Sequence, residues 1–192
     1  TTTITLHKRE AGDYFGHPGI CTVTFCRGDP QAALADLRAK ALPVLQANPW
    51  IGGRFVKKAL VFASTCTEDD VNEIVTICKN AAVHRNQPYP MLVGAVAKNH
   101  ALSVSKGKAI QKSRQRVTKL VVVEPATLGD EFSIVFSMSH AAADGADYYR
   151  IFNMICGTDP VKAMDPTRNT EWEAREAEWI GKADHKWLSG GG

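Results

Sequence analysis

Apolar and polar positions along the chain alternate between two periods. Residues 20–26, Ile-Cys-Thr-Val-Thr-Phe-Cys, follow the two-residue repeat of a β-strand. Asp29-Pro30 then predicts a helix start, with Asp29 as N-cap and Pro30 at the first helical position. The helix is expected to reach about Ala47, with Ala33, Leu34, Leu37, Ala41 and Leu45 on one stripe and a kink at Pro43. A turn over residues 48–53 leads into an expected strand from Arg54 to Ala63. Thr67 and Asp70 form a capping-box pattern for a helix from Glu68 to about Ala82. Residues 85–90 contain Pro88 and Pro90 and read as a loop, and the apolar run Met91 to Ala97 reads as a buried strand.

Ser103 to Lys119 is polar and basic, and Leu120 to Val123 is a fully apolar strand. After a turn at Ala126 to Asp130, Phe132, Ile134, Phe136 and Met138 alternate with Ser133, Val135, Ser137 and Ser139. These two strands are expected to form a hairpin. Gly145 to Cys156 predicts a helix with Tyr148, Tyr149, Phe152 and Ile155 as its apolar stripe and Gly157 as its stop. Asp159 to Thr170 reads as a linker, and Glu171 to Leu188 as a charged helix with Trp172, Trp179 and Trp187 on one face. The pattern predicts an α/β (α+β layered) domain over residues 1–158, its mixed, largely antiparallel sheet covered by helices. A linker and Trp-bearing helix follow over residues 159–192.

Composition narrows the function classes. With 192 residues, 44% hydrophobic and 22% charged, the chain can bury the core of one globular domain. A net charge of +3 gives no electrostatic case for nucleic acid. No run approaches the roughly 18–20 apolar residues of a membrane span. The five cysteines are odd in number and lack Cys-x-x-Cys spacing, so neither a zinc site nor a disulfide framework is expected. Cys78 and Cys156 lie in apolar contexts and read as buried thiols, which favours a reducing compartment, cytoplasm or organelle interior. The scattered His7, His17, His84, His100 and His185 show no metal-ligand spacing, and no Gly-x-Ser-x-Gly occurs. The opening Thr-Thr-Thr lacks a Met, and the natural chain is expected to be longer.

The chemistry concentrates at residues 140–145, His-Ala-Ala-Ala-Asp-Gly. His140 falls where an apolar strand stops, a rigid mount for an imidazole, and the alanines leave room beside it. A neutral imidazole is a natural general base near pH 7. Asp144 stands at the start of the next helix, where free N–H groups favour a carboxylate.

This strand, HxxxDG and helix succession resembles the signature of the chloramphenicol acetyltransferase superfamily. That superfamily includes dihydrolipoyl acyltransferase cores, condensation domains, alcohol acyltransferases and wax ester synthases. Leu45 to Phe55, with Asn-Pro and Gly-Arg-Phe, is similar to an early segment of two-lobed members. The resemblance implies that His140 is the general base activating a hydroxyl or amine acceptor. It implies that Asp144 holds the site in shape, usually through an Arg, and that Gly145 lets the turn fold tightly. It further implies an acyl thioester donor on coenzyme A or a carrier, no tightly bound cofactor, and a tunnel completed by a second lobe or neighbouring subunit. This chain departs from the pattern at Ser139, where many members carry His or Asp.

Arg9 and Arg54 are the candidate partners of Asp144. The basic stretch Lys106, Lys108, Lys112, Arg114, Arg116 and Lys119 reads either as a solvated face or as a guide for coenzyme A phosphates or an acidic carrier. Arg54, Lys112 and Arg114 are the candidate substrate-binding residues. No aromatic lies between Lys106 and Lys119 to stack on bases, which argues against nucleic acid. The Trp residues read either as packing on this lobe or as a partner-facing stripe. The alternative to an enzyme is a non-catalytic scaffold or binding subunit that retains the lobe.

Overall fold

The computed structural model describes residues 1–124, 131–168 and 171–188. The described strands are β1 (Thr2–Thr5), β2 (Ile20–Arg27), β3 (Arg54–Val56), β4 (Ala59–Phe62), β5 (Val75–Lys79), β6 (Thr118–Glu124) and β7 (Glu131–Met138). The helices are α1 (Pro30–Ala47), α2 (Glu68–Ile74), α3 (Tyr89–Lys98), α4 (Gly107–Lys112), α5 (Gly145–Cys156), α6 (Trp172–Ile180) and α7 (Lys182–Leu188). A four-stranded sheet runs β2-β7-β6-β5, and a three-stranded sheet runs β1-β4-β3. In the larger sheet β7 is antiparallel to both neighbours, Phe136 facing Thr22 and Leu120, while β5 is parallel to β6 at the edge. The sheet is therefore mixed and largely antiparallel.

Alternation along β7 divides the core into two layers. Phe132, Phe136 and Met138 join the cluster that holds Leu37, Ala41 and Val44 of α1 and Tyr148, Ile151 and Ile155 of α5. Val135 faces the opposite layer, with Val121, Val123, Leu102 and Val96 of α3. Each fully buried side chain of this size contributes about 1.5–3 kcal/mol. Tyr148 also locks α5 to the sheet, because its hydroxyl donates to the Phe136 carbonyl at 2.8 Å and lies 3.0 Å from Thr22 Oγ1.

Several elements differ from the pattern reading. The helix from Glu68 stops at Ile74, and Val75-Thr76-Ile77 becomes β5, because β-branched residues there pair with β6. Residues 91–97 are helical, not a strand: α3 starts beside Pro88 and Pro90, both tolerated at a helix N-terminus. Residues 54–62 fold into a hairpin rather than one strand, turning at Lys57 with φ 55°. Gly181, at φ 84°, splits the C-terminal helix into α6 and α7. On α5, Ile151 and Met154 are buried while Tyr149 is exposed. Cys66 is the buried thiol, whereas Cys78 and Cys156 are half-buried. Trp179 is 66% exposed, and the side chains of Trp172 and Trp187 lie outside the described residues, as does the turn at 126–130. Residues 159–168 are irregular but anchored: buried Asn48 donates to the Lys162 carbonyl at 2.9 Å and accepts from the Met164 N–H at 2.7 Å.

Thr67 and Asp70 form the expected capping box on α2. Arg116 then bonds to this helix, through Nη2 to Asp70 and Nε to Glu73, both at 2.6 Å, and donates to the Gly52 carbonyl at 2.7 Å. Burial opposes ionisation of Asp70, but hydrogen bonds from Thr67 and then Arg116 outweigh it and hold the carboxyl below its ordinary value. The Arg116 hydrogen bond, ahead of opposing burial, lowers Glu73 as well. Both groups therefore add stability that is present above the ordinary carboxylate range and is lost as pH falls through their depressed values. Arg116→Ala is expected to cost about 2 kcal/mol at neutral pH, with the deficit shrinking below about pH 4. Urea unfolding across pH checks this, and a deficit constant with pH would contradict it. Among the described residues no helix is long and apolar enough to cross a membrane, and no cluster of His, Cys, Asp and Glu is placed to hold a metal.

Candidate active site

The strand-to-helix junction at residues 138–145 is built from small residues folded against the core. The buried Ser139 N–H donates to the Val117 carbonyl at 2.8 Å, which extends the sheet by one bond beyond β7. Its carbonyl accepts from Ala142 N at 3.0 Å and Ala143 N at 3.3 Å, closing a turn around His140. Ala141, Ala142 and Ala143 are 0%, 1% and 5% exposed, so only small side chains fit there. Asp144 caps α5, its carboxylate accepting from Asp147 N at 2.8 Å. Burial, and then the adjacent Asp144 charge, raise the Asp147 carboxyl above its ordinary value. A Cβ at Gly145 would meet nothing within 4 Å, so Gly145 leaves open space over the start of α5 rather than relieving a steric clash. Asp144→Ala is expected to cost about 1 kcal/mol through the lost cap, read as a lower urea midpoint with unchanged slope.

His140 is half-buried. Its ring stacks on Tyr14, with centroids 4.8 Å apart and planes 19° apart, and meets His17 edge-on at 6.2 Å. Its Nδ1 is buried without a hydrogen-bond partner among the described residues. Tyr14 ends a π-helical turn, Glu10–Tyr14, a feature often found at functional sites. That turn is fixed by Glu10, whose carboxylate accepts from His7 N at 2.9 Å and pairs with Arg168 Nε at 2.9 Å. Arg168 also donates through Nη2 to the Ala142 carbonyl at 2.8 Å. Arg168 thus joins the His140 turn to the segment that carries Tyr14.

Neither expected partner of Asp144 serves it. Arg9 pairs with Glu176 at 2.8 Å, and Arg54 pairs with Glu73 and donates to the Arg114 carbonyl. Arg168 bonds to the backbone of the turn instead of to the Asp144 carboxylate. Lys112 closes α4 and Arg114 sits at φ 52°, both exposed. Among the described residues no hydrogen bond or ion pair joins Arg54, Lys112 or Arg114 to His140. The pattern reading missed Glu10, Tyr14, His17 and Arg168. The clustered rings of Tyr14-Phe15-Gly16-His17 were the one local signal available for part of this set.

No protein-family model matches the chain, and no curated protein matches it. Solved structures do. One is TRI101 of F. graminearum complexed with coenzyme A and deoxynivalenol: 12% identity, TM-score 0.51, covering 83% of this chain and 39% of that one. Another is the EpoB cyclization-docking bidomain of a nonribosomal peptide synthetase from Sorangium cellulosum: 13% identity, TM-score 0.55, covering 98% of this chain and 37% of that one. At these identities the likeness is one of fold. The fold is that of a chloramphenicol acetyltransferase-like lobe. The chain spans about two fifths of the length of these structures.

Proposed function

We propose that this chain is the lobe of an acyltransferase that moves an acyl group from a thioester to a hydroxyl or amine, with His140 as general base. The observation that carries this reading is the mount of His140, at the end of the central strand β7 and before a buried alanine turn whose Asp144 caps α5. Burial of Nδ1 leaves Nε2 as the nitrogen free to meet a substrate. Nε2 would take the acceptor proton as the hydroxyl or amine attacks the thioester carbonyl. The resulting imidazolium would return that proton to the departing thiolate as the carbon–sulfur bond breaks. Asp144 and Gly145 act structurally, one as cap and the other by leaving space.

Coenzyme A or a carrier-bound thioester is the donor class, supported by likeness in fold to a structure holding coenzyme A. Arg54, Lys112 and Arg114 lie outside the site's bonding network, so their part in the proposal is to attract the donor's phosphates at long range. A second lobe or neighbouring subunit completes the tunnel, in keeping with the two fifths of its structural relatives that the chain spans. The proposed boundary of the lobe is residue 158, with 159–192 leading toward that partner.

One observation favours a second reading, a non-catalytic scaffold that retains the lobe: Tyr14 covers one face of His140. Thiol release from a panel of acyl-coenzyme A thioesters, with alcohol and amine acceptors, separates the two. Release above the uncatalysed background that depends on His140 supports the enzyme, and no release above that background supports the scaffold.

A further inference from the structure

On the sheet face opposite α5, α3 does not close fully onto β2. A cleft of about 510 Å³ remains between them, within the range of small-molecule sites. One wall is the helix stripe Tyr89, Leu92, Val93, Val96 and Ala97, and the other is Cys21 and Val23 of β2. That stripe spans eight residue steps, roughly 12 Å of groove. Tyr89 is 77% exposed and Val93 45% exposed at its open side, a surface of large apolar groups that ordinary packing leaves unexplained.

The two ends of the cleft differ. Ser103, Val104 and Ser105 also line it. Ser103 Oγ donates to the Val96 carbonyl at 3.0 Å, and Val104 N donates to Ser137 Oγ at 3.1 Å, so both polar groups are used internally. Beyond them lie the paired side chains of His100 and Ser105, 3.3 Å apart, and Lys106. Among the described residues, no acidic side chain lines the cleft. An apolar trough with one donor-rich, cationic end is complementary to a molecule with an apolar body and a single anionic head.

We infer that the cleft between α3 and β2 binds an amphipathic small molecule, an alkyl chain of medium length ending in a carboxylate, with the chain along α3 and the head at Lys106 and His100. The site does not rest on the acyl-transfer reading, because it uses neither His140 nor its turn and its test reads binding alone.

Decanoate is the probe, titrated below its aggregation range by calorimetry into the whole chain. Saturable binding of one decanoate per chain is expected. Lys106→Gln should weaken decanoate about 10-fold, the equivalent of 1.4 kcal/mol, and leave decanol unchanged. Ala97 is exposed on α3, so Ala97→Trp should fill the trough without disturbing the core and abolish binding of both. Val93→Lys, which places a charge in the apolar wall, should do the same, and thermal melts confirm that each variant folds. Absence of saturable binding by the wild-type chain overturns the proposal. So does binding unaffected by Ala97→Trp and Val93→Lys. A wild-type dimer that ignores decanoate and is split by Val93→Lys would assign the cleft to a second copy instead.

Discussion

The His140→Ala protein is expected to release thiol roughly 100-fold more slowly than the wild type, with its thermal midpoint nearly unchanged. Rate and stability separate because His140 carries little of the fold. It is half-buried, and its main contact is the stack on Tyr14, worth about 0.5–1.5 kcal/mol. Removing the ring also removes a buried Nδ1 that has no partner, which offsets part of that loss. The alanines that anchor the turn remain in place. His140→Gln keeps polar bulk without a base and should be equally slow. Wild-type rates in both variants would sink the mechanism.

Arg168→Ala should destabilise the chain by about 2 kcal/mol, the scale of losing charge-assisted hydrogen bonds in a half-buried pair. Arg168 and Glu10 are 15% and 17% exposed, so the variant leaves the half-buried Glu10 carboxylate with only its bond from His7 N and the Ala142 carbonyl without its donor. Arg168→Lys should recover only part of the loss, since one ammonium cannot reproduce the fork that reaches Glu10 and Ala142 together. Glu10→Gln combined with Arg168→Ala should cost less than the sum of the single changes. Urea unfolding of the wild type, Arg168→Ala, Glu10→Gln and the double variant tests this, and strict additivity would show that the pair does not act as a unit.

The junction from β7 to α5 was legible because each signal there is local. Phe132, Ile134, Phe136 and Met138 keep a two-residue spacing, Asp144 is a cap, and Gly157 is a stop, so the helix bounds read as Gly145 to Cys156 in both sequence and structure. The segment from 68 to 79 was not legible. Val71, Ile74, Val75 and Cys78 repeat at helical spacing, and only pairing with β6 turns the second half into a strand. Met91 to Ala97 is apolar almost throughout and carries no period, so its helix follows from the sheet face it covers. The surroundings of His140 were the least legible part. Tyr14, His17 and Arg168 reach it from distant stretches of chain, and Arg168, not among the Arg residues expected at Asp144, bonds to the Ala142 carbonyl.

The pair of Glu10 and Arg168 has a kinetic consequence. It joins positions 158 residues apart, so forming it early would demand the closure of nearly the whole chain. It is therefore expected among the last events of folding, after β6, β7 and α5 have condensed. Interactions absent from the folding barrier act mainly on escape from the native state. Loosening this late clasp is thus expected to shorten the lifetime of the arranged His140 turn more than it slows folding.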